Sequence, residues 1–176
     1  MIYFVRHGQT YNNVKKLLGG NAELTPEGIN QAKATAEKLK DIKFDAIYSS
    51  DMIRTVQTAQ YINVYHNLEI VQDKRLRERF HGSKELSDET TYNFDEIWTI
   101  NGEVTYPGVV ETISELGDRV KSILEEIKQK HKGKNVLVVS HCGVGRIMQY
   151  IHGIVPKSTN LYEQSLNNGE YYTYDN

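Results

Sequence analysis

The sequence predicts an α/β fold, a three-layer α/β/α sandwich built on a mostly parallel central sheet. Three short apolar runs, residues 2–5 (IYFV), Ala46–Ser49 and Val136–Ser140 (VLVVS), have the β-branched and aromatic character of buried strands. Each is followed by a helical pattern. Strands that alternate with helices are joined by crossovers, so they run parallel and are covered on both faces.

The elements follow in chain order. The first run leads directly into Arg6-His7-Gly8. Thr25-Pro26 then supplies an N-cap and a first-turn proline, and Ile29, Ala32, Ala36 and Leu39 mark one helical face. After the second run, Ser50 or Asp51 is expected to cap a helix whose Ile53, Val56, Ala59 or Gln60, and Ile62 pack inward. From Thr112 onward, Ile113, Leu116, Val120, Ile123 and Ile127 recur at intervals of three and four, an amphipathic helix leading into VLVVS. Residues 69–72 offer a further strand. Residues 170–174 (EYYTY), after the turn-forming Asn167-Asn168-Gly169, read as an edge strand. Residues 80–107 are polar, aromatic and aperiodic, an excursion over one end of the sheet of the kind that carries function.

A chain of 176 residues without repeats, and with no Pro- or Gly-rich linker, reads as one domain over residues 1–176. A net charge of -2 and a pI near 6.3 provide no basic footprint for nucleic acid, which points to a small-molecule partner. The single cysteine, Cys142, excludes an intrachain disulfide or a Cys-rich zinc site and suits a reducing, cytoplasmic setting. The opening apolar run is too short for a signal peptide, and no run approaches the roughly 18 residues of a membrane span. Composition leaves the oligomeric state open.

Ligands of open α/β sheets bind beyond the carboxyl ends of the strands. Arg6 and His7 leave the first strand there, Arg54 lies in the first turn of the helix after the second, and His141 leaves the third. Two guanidiniums, two imidazoles and the amides at the start of the helix after His141 form a donor-rich pocket suited to a tetrahedral phosphate dianion. No HExxH or Asp-rich loop accompanies them, so the chemistry is expected from side chains, with neither metal nor organic cofactor. Arginines beside His7 disfavour its protonation and keep a lone pair for attack on phosphorus. The leaving oxygen needs a proton, and Glu78 in RLRERF is the best-placed carboxyl by chain position.

These motifs make the chain recognisable. RHGQTYNN, YSSDMIRTVQTA, RLRERFHG and VVSHCGVGR occur in an order that resembles the histidine phosphatase superfamily, which includes the cofactor-dependent phosphoglycerate mutases. The resemblance implies an α/β/α sandwich and a phosphohistidine on His7. It further implies a phosphate clamp of Arg6, Arg54 and His141, with Asn13 and the backbone amide of Cys142 touching phosphate, and Glu78 as proton donor. Three positions depart from the family pattern: Gln9 follows RHG where many members have Glu, Leu86 stands where a glycine is expected, and Val110 precedes Glu111 where glycine is common.

The expected activity is metal-independent hydrolysis of small phosphomonoesters. A phosphoglycerate mutase is the alternative, disfavoured because the family's mutases carry longer segments over the site. A catalytically silent phosphate-binding protein is the second, disfavoured by the intact His7 and Glu78. Some positions admit two roles. The Arg/Glu run 75–79 would suit a solvated surface as well as an acid motif, and His81 could touch substrate. Tyr92, Phe94, Trp98 and Tyr106 could line a substrate mouth or pin the excursion down. Cys142 reads as packing at a helix start, and His66, His131 and His152 as surface or helix-end residues. Gly143-Val144-Gly145 lacks the third glycine of a dinucleotide fingerprint.

Overall fold

A computed structural model of the chain describes residues 1–99, 111–154, 160–163 and 165–175, without the side chains at 95 and 96. Its five strands, β1 (Ile2–Arg6), β2 (Ala46–Ser49), β3 (Ile70–Gln72), β4 (Val136–Ser140) and β5 (Tyr171–Tyr174), form one sheet in the order β3-β2-β4-β1-β5. β1, β2, β3 and β4 run parallel, and β5 joins β1 antiparallel at one edge. This is the expected sandwich.

Alternation along the strands sorts the core into two layers. Ile2, Phe4, Tyr48, Val136 and Val138 face α5 (Ile113–Lys130) and α6 (Cys142–Ile151), meeting Leu116, Val120, Ile123, Ile127, Val144 and Ile147. Val5, Ile47, Leu137 and Val139 point the other way, onto Ala36 and Leu39 of α2 (Pro26–Leu39) and Ala59 and Ile62 of α3 (Ile53–Asn63). β4 lies in the middle and every one of its residues is buried, which is why it reads as an unbroken apolar run.

Helix starts follow the cap chemistry with one exception. The Thr25 and Thr112 hydroxyls accept from the amides of Gly28 and Glu115, and Glu115 returns the bond to Thr112 as a capping box. A short helix, α1 (Tyr11–Val14), is closed by a Thr10–Asn13 box. At α3 the expected cap by Ser50 or Asp51 is not formed. Met52 occupies the N-cap position without a side-chain bond. The Asp51 carboxylate instead takes the Arg77 guanidinium at 2.6 Å through both oxygens, a bidentate charge-assisted pair. The inward face of α3 is Arg54, Thr55, Thr58, Ala59 and Ile62, so Ile53 is turned out and exposed, as is Gln60.

The described part of the excursion, residues 80–99, is more ordered than its aperiodic sequence suggested. Leu18 and Leu86 exchange backbone bonds with the opposite segment, Leu18 N–H to Ser87 O at 3.0 Å and Leu86 N–H to Leu18 O at 2.8 Å. The Glu85 carboxylate accepts from the amides of Gly20 and His81. Beyond this lies α4 (Phe94–Ile97), and Tyr92, Ile97 and Trp98 are buried in the layer of α5 and α6. The aromatic residues therefore do pin the excursion down; Tyr106 and Val110 lie outside the described residues.

Leu86 has φ +65°, a left-handed backbone at the position where the family pattern expects glycine. A β-carbon there costs about 1–2 kcal/mol, partly offset by the extra chain entropy of glycine when unfolded. Because the Leu86 side chain is more than half exposed, Leu86→Gly is expected to stabilise the fold by about 0.5–1 kcal/mol. Urea unfolding measures this; a midpoint unchanged or lowered would show that the loop holds Leu86 without strain.

Candidate active site

Strand register assembles the site. Arg6 pairs with Ser140 and Ser49 with Val139, so His7, His141 and Ser50 emerge side by side from β1, β4 and β2. Backbone bonds continue the alignment past the strand ends, His7 N–H to Ser140 O at 3.0 Å and Ser50 N–H to Val139 O at 3.1 Å.

The Arg54 side chain rises from the first turn of α3 into the gap between the two imidazoles. Its Nε donates to His7 Nε2 at 3.1 Å and to His141 Nδ1 at 3.2 Å, and its Nη1 donates to Gly20 O at 2.7 Å. Both ring nitrogens facing Arg54 must therefore be acceptors, which sets both tautomers. His7 donates from Nδ1 to Gly8 O at 2.7 Å, and His141 from Nε2 to Ser50 Oγ at 2.9 Å. Burial, with Arg54 and Arg6 adding like-charge repulsion at His7, holds the pKa of both imidazoles well below the usual histidine value. Burial likewise pushes Arg54 down to about 10.

The remaining predicted residues surround this cluster. Arg6 donates from Nη1 to Leu166 O, while its buried Nε has no acceptor. Asn13 uses Oδ1 in the capping box with Thr10, which turns its amide nitrogen into the donor available to the cavity. Cys142 is the first residue of α6, with His141 as N-cap, so its backbone amide belongs to the unpaired first turn. Arg6, His7, Asn13, Arg54, Glu78 and Cys142 all line one cavity of about 270 Å³. His141 is fully buried behind Arg54.

Glu78 is held from several sides. Its carboxylate accepts from Gly143 N–H at 3.0 and 3.2 Å and from Arg79 N–H at 2.8 Å. A β-carbon on Gly143 would sit 2.2 Å from Glu78 Oε1, so only glycine lets the carboxylate approach α6. Beneath it, Arg119 of α5 donates to the carbonyls of Arg75, Arg77 and Glu78 and pairs with Glu111, and Ser140 Oγ donates to Leu76 O. The alternating run 75–79 is thus anchored, not a loose solvated surface.

His81, Phe94 and Trp98 also face the cavity, which gives the aromatic residues of the excursion a second role as its wall. His66, His131 and His152 sit at helix ends, as expected. The sequence reading assigned no function to Ser50, Gly143 or Arg146. Gly143 and Arg146 lie inside the quoted motif VVSHCGVGR, but spacing alone does not reveal what a glycine makes room for. Among the described residues no three His, Cys, Asp or Glu side chains converge to hold a metal, and no helix is long and apolar enough to cross a membrane.

The model of the histidine phosphatase superfamily (branch 1) matches residues 2–175, and the chain belongs to that superfamily. A metal-independent phosphoserine phosphatase of Arabidopsis thaliana is 36% identical over 155 residues, covering 82% of this chain and 65% of that protein. The probable phosphoglycerate mutase GpmB of Escherichia coli O1:K1 / APEC is 33% identical over 163 residues, covering 87% of this chain and 75% of its own length. Among solved structures, Bacillus stearothermophilus YhfR superposes with a TM-score of 0.85 at 26% identity, over 97% of this chain and 88% of that one.

Protonation of the imidazoles gives a test of this geometry. All six histidines, His7 and His141 foremost, are shifted below the free value. Below about pH 6.5 the unfolded chain therefore binds protons that the folded one does not. Folding stability is expected to be level between pH 8 and 7 and to fall as pH drops through 6. His7 and His141 would each remove up to about 1.4 kcal/mol per pH unit. Their ring proton resonances should stay at the neutral position down to about pH 6; titration near 6.5 would show a solvated cluster.

Proposed function

We propose that the chain is a metal-independent phosphomonoesterase that works through a phosphohistidine on His7, residues 1–176 acting as one catalytic domain. One observation carries the reading: Arg54 bonds both imidazoles from within a buried pocket, which leaves His7 neutral with Nε2 as its lone-pair nitrogen. Arg6, Arg54, Asn13 and the Cys142 amide hold the phosphoryl oxygens, and His141 joins them once its Nδ1, vacated by Arg54, takes up a proton under the field of the phosphate dianion. His7 Nε2 attacks phosphorus as the bond to the ester oxygen breaks, and Glu78 gives that oxygen its proton. Positive charge developing on the ring is stabilised through Nδ1–H and the Gly8 carbonyl, while Arg54 turns from the ring nitrogens to the phosphoryl group. In the second half, the Glu78 carboxylate takes a proton from water as its oxygen bonds to phosphorus, releasing phosphate and restoring neutral His7.

The likeness to a metal-independent phosphoserine phosphatase supports hydrolysis over mutase transfer. The chemistry suits a small phosphorylated substrate and neither nucleic acid nor membrane, and the lone cysteine suits the reducing cytoplasm.

The direct test is single turnover in EDTA with a ³²P-labelled monoester. Acid-labile label on His7 is expected, absent in His7→Ala, which still binds vanadate through the surviving clamp. Label elsewhere, or activity that returns only with added magnesium or zinc, overturns the reading.

The proton donor is tested separately. Glu78→Gln preserves shape and hydrogen bonding but has no proton to give. Its rate of His7 phosphorylation is expected to fall by a factor of about 10²–10⁴ with an alkyl phosphate and much less with p-nitrophenyl phosphate, whose leaving group needs little protonation. Equal losses would reduce Glu78 to positioning and make His81 the candidate donor.

A further inference from the structure

Ser50 is the first residue after β2 and stands beside His141 with none of its surface exposed. Its backbone is fixed from three directions. The amide donates to Val139 O at 3.1 Å, and the carbonyl accepts from Ser49 Oγ at 2.8 Å and from Thr55 Oγ1 at 2.9 Å. The side-chain oxygen therefore has a set position. From there it accepts the Met52 amide at 3.3 Å and the Nε2–H of His141 at 2.9 Å, two donors for the two lone pairs of a hydroxyl.

The group behind a working imidazole is commonly a carboxylate, which orients the ring and also favours its protonated form. Neither ring nitrogen of His141 bonds one here. The charged and titratable groups around the ring are Arg54 from α3, Arg6 and His7 at the end of β1, and Arg119 from α5, all cationic or neutral. The acid of the neighbouring segment, Glu78, is taken up by the amides of Arg79 and Gly143.

This difference has a chemical consequence. A carboxylate in the place of Ser50 would hold a proton on the ring in the free protein, and the imidazolium would then oppose Arg54 at Nδ1. A hydroxyl orients the ring without charging it. Its bond to Nε2–H strengthens once the ring becomes cationic, so it supports a charge that a ligand brings in and does not create one beforehand.

We propose that Ser50 is a positioning residue for phosphoryl transfer: its hydroxyl holds the Nε2 proton of His141, so that Nδ1 faces phosphate and takes up a proton only when the dianion binds. The proposal rests on the phosphatase reading of His7 and adds a proton balance to it. Arg54 leaves Nδ1 for the phosphoryl oxygens, and one proton enters from solvent onto Nδ1. The imidazolium then donates forward to phosphate and backward to Ser50. When the dianion departs, the proton departs as well. In Ser50→Ala the Nε2–H faces a methyl group, a loss felt most in the charged form.

The experiment follows both ring nitrogens of His141 by nitrogen-15 NMR while inorganic phosphate is added at about pH 8, where this ligand is chiefly the dianion. In the free wild type Nε2 is expected to be protonated and Nδ1 bare; at saturating phosphate both are expected to be protonated. Ser50→Ala should lower the pKa of the phosphate-bound ring by about one to two units, the scale of a hydrogen bond to a charged group. Its kcat/KM for p-nitrophenyl phosphate should fall by about 10- to 100-fold at that pH. The loss should shrink as pH is lowered, because the variant's ring then protonates as well. Ser50→Thr, which keeps the hydroxyl, should recover part of both. A wild-type ring that stays neutral throughout the phosphate titration overturns the proposal whether or not the variants fold. A Ser50→Ala loss of the same size at every pH also overturns it, since it would mark a structural role. Wild-type turnover of p-nitrophenyl phosphate in EDTA separates the two levels: its absence removes the phosphatase reading. The phosphate titration still decides Ser50 in that event, because protonation of Nδ1 requires binding and no turnover.

Discussion

The constraint on which the rest depends is a cation placed between two imidazoles, with all three side chains buried. A guanidinium at hydrogen-bond distance from both rings forces their facing nitrogens to accept and keeps both rings neutral. Burial alone would disfavour protonation. The arginine adds direction, because it also determines which nitrogen of each ring retains its lone pair. His7 is thereby aimed by the Gly8 carbonyl behind it and Arg54 in front, and His141 by Ser50 and the same Arg54. Holding a buried cation is costly. The cluster is left with positive charge and unused donors, such as Arg6 Nε, that a phosphate dianion would satisfy.

Much of the remaining architecture can be understood as support for that cluster. The parallel register brings three strand ends level, so that residues far apart in sequence, His7, Ser50 and His141, become neighbours without any long side chain having to reach. Close packing of backbone continues beside it. A β-carbon on Gly8 would lie 2.3 Å from Gly28 O, which locks the loop after β1 against the first turn of α2. On the opposite side Arg119 gathers three carbonyls of the segment leading to Glu78, making an acidic side chain on a loop as well located as one on a helix.

The cavity is asymmetric in its chemistry. Near the strand ends the donors are charged and close together, suited to a compact group of high charge. Toward Trp98, Phe94 and Tyr162 the wall is aromatic, with Arg146 set into it. The first region is built from the regular elements and their immediate loops. The second draws Phe94 and Trp98 from the excursion that follows Glu78, so in the proposed reaction the part of the site for phosphate and the part for the leaving group rest on different kinds of structure. Members of one superfamily can share the first and differ in the second.

What the sequence determined by itself was the sheet, the helices and the four residues at its carboxyl edge. Strand and helix periodicity are local properties, and the rule that ligands bind beyond parallel strand ends converts them into a location. Arg6, His7, Arg54 and His141 were legible for that reason, and Glu78, Asn13 and Cys142 through the order of the motifs. Tertiary structure alone decided the rest. Asp51 gave up a helix cap for Arg77, and Ile53 turned outward because Arg54 had to turn inward, outcomes set by partners distant in sequence. Leu86 adopted a left-handed backbone because residues 16–18 pair with its loop. Gly143 shows the limit most plainly. It matters for the side chain it lacks, and what a glycine makes room for is a property of the packed molecule that no spacing of residues encodes.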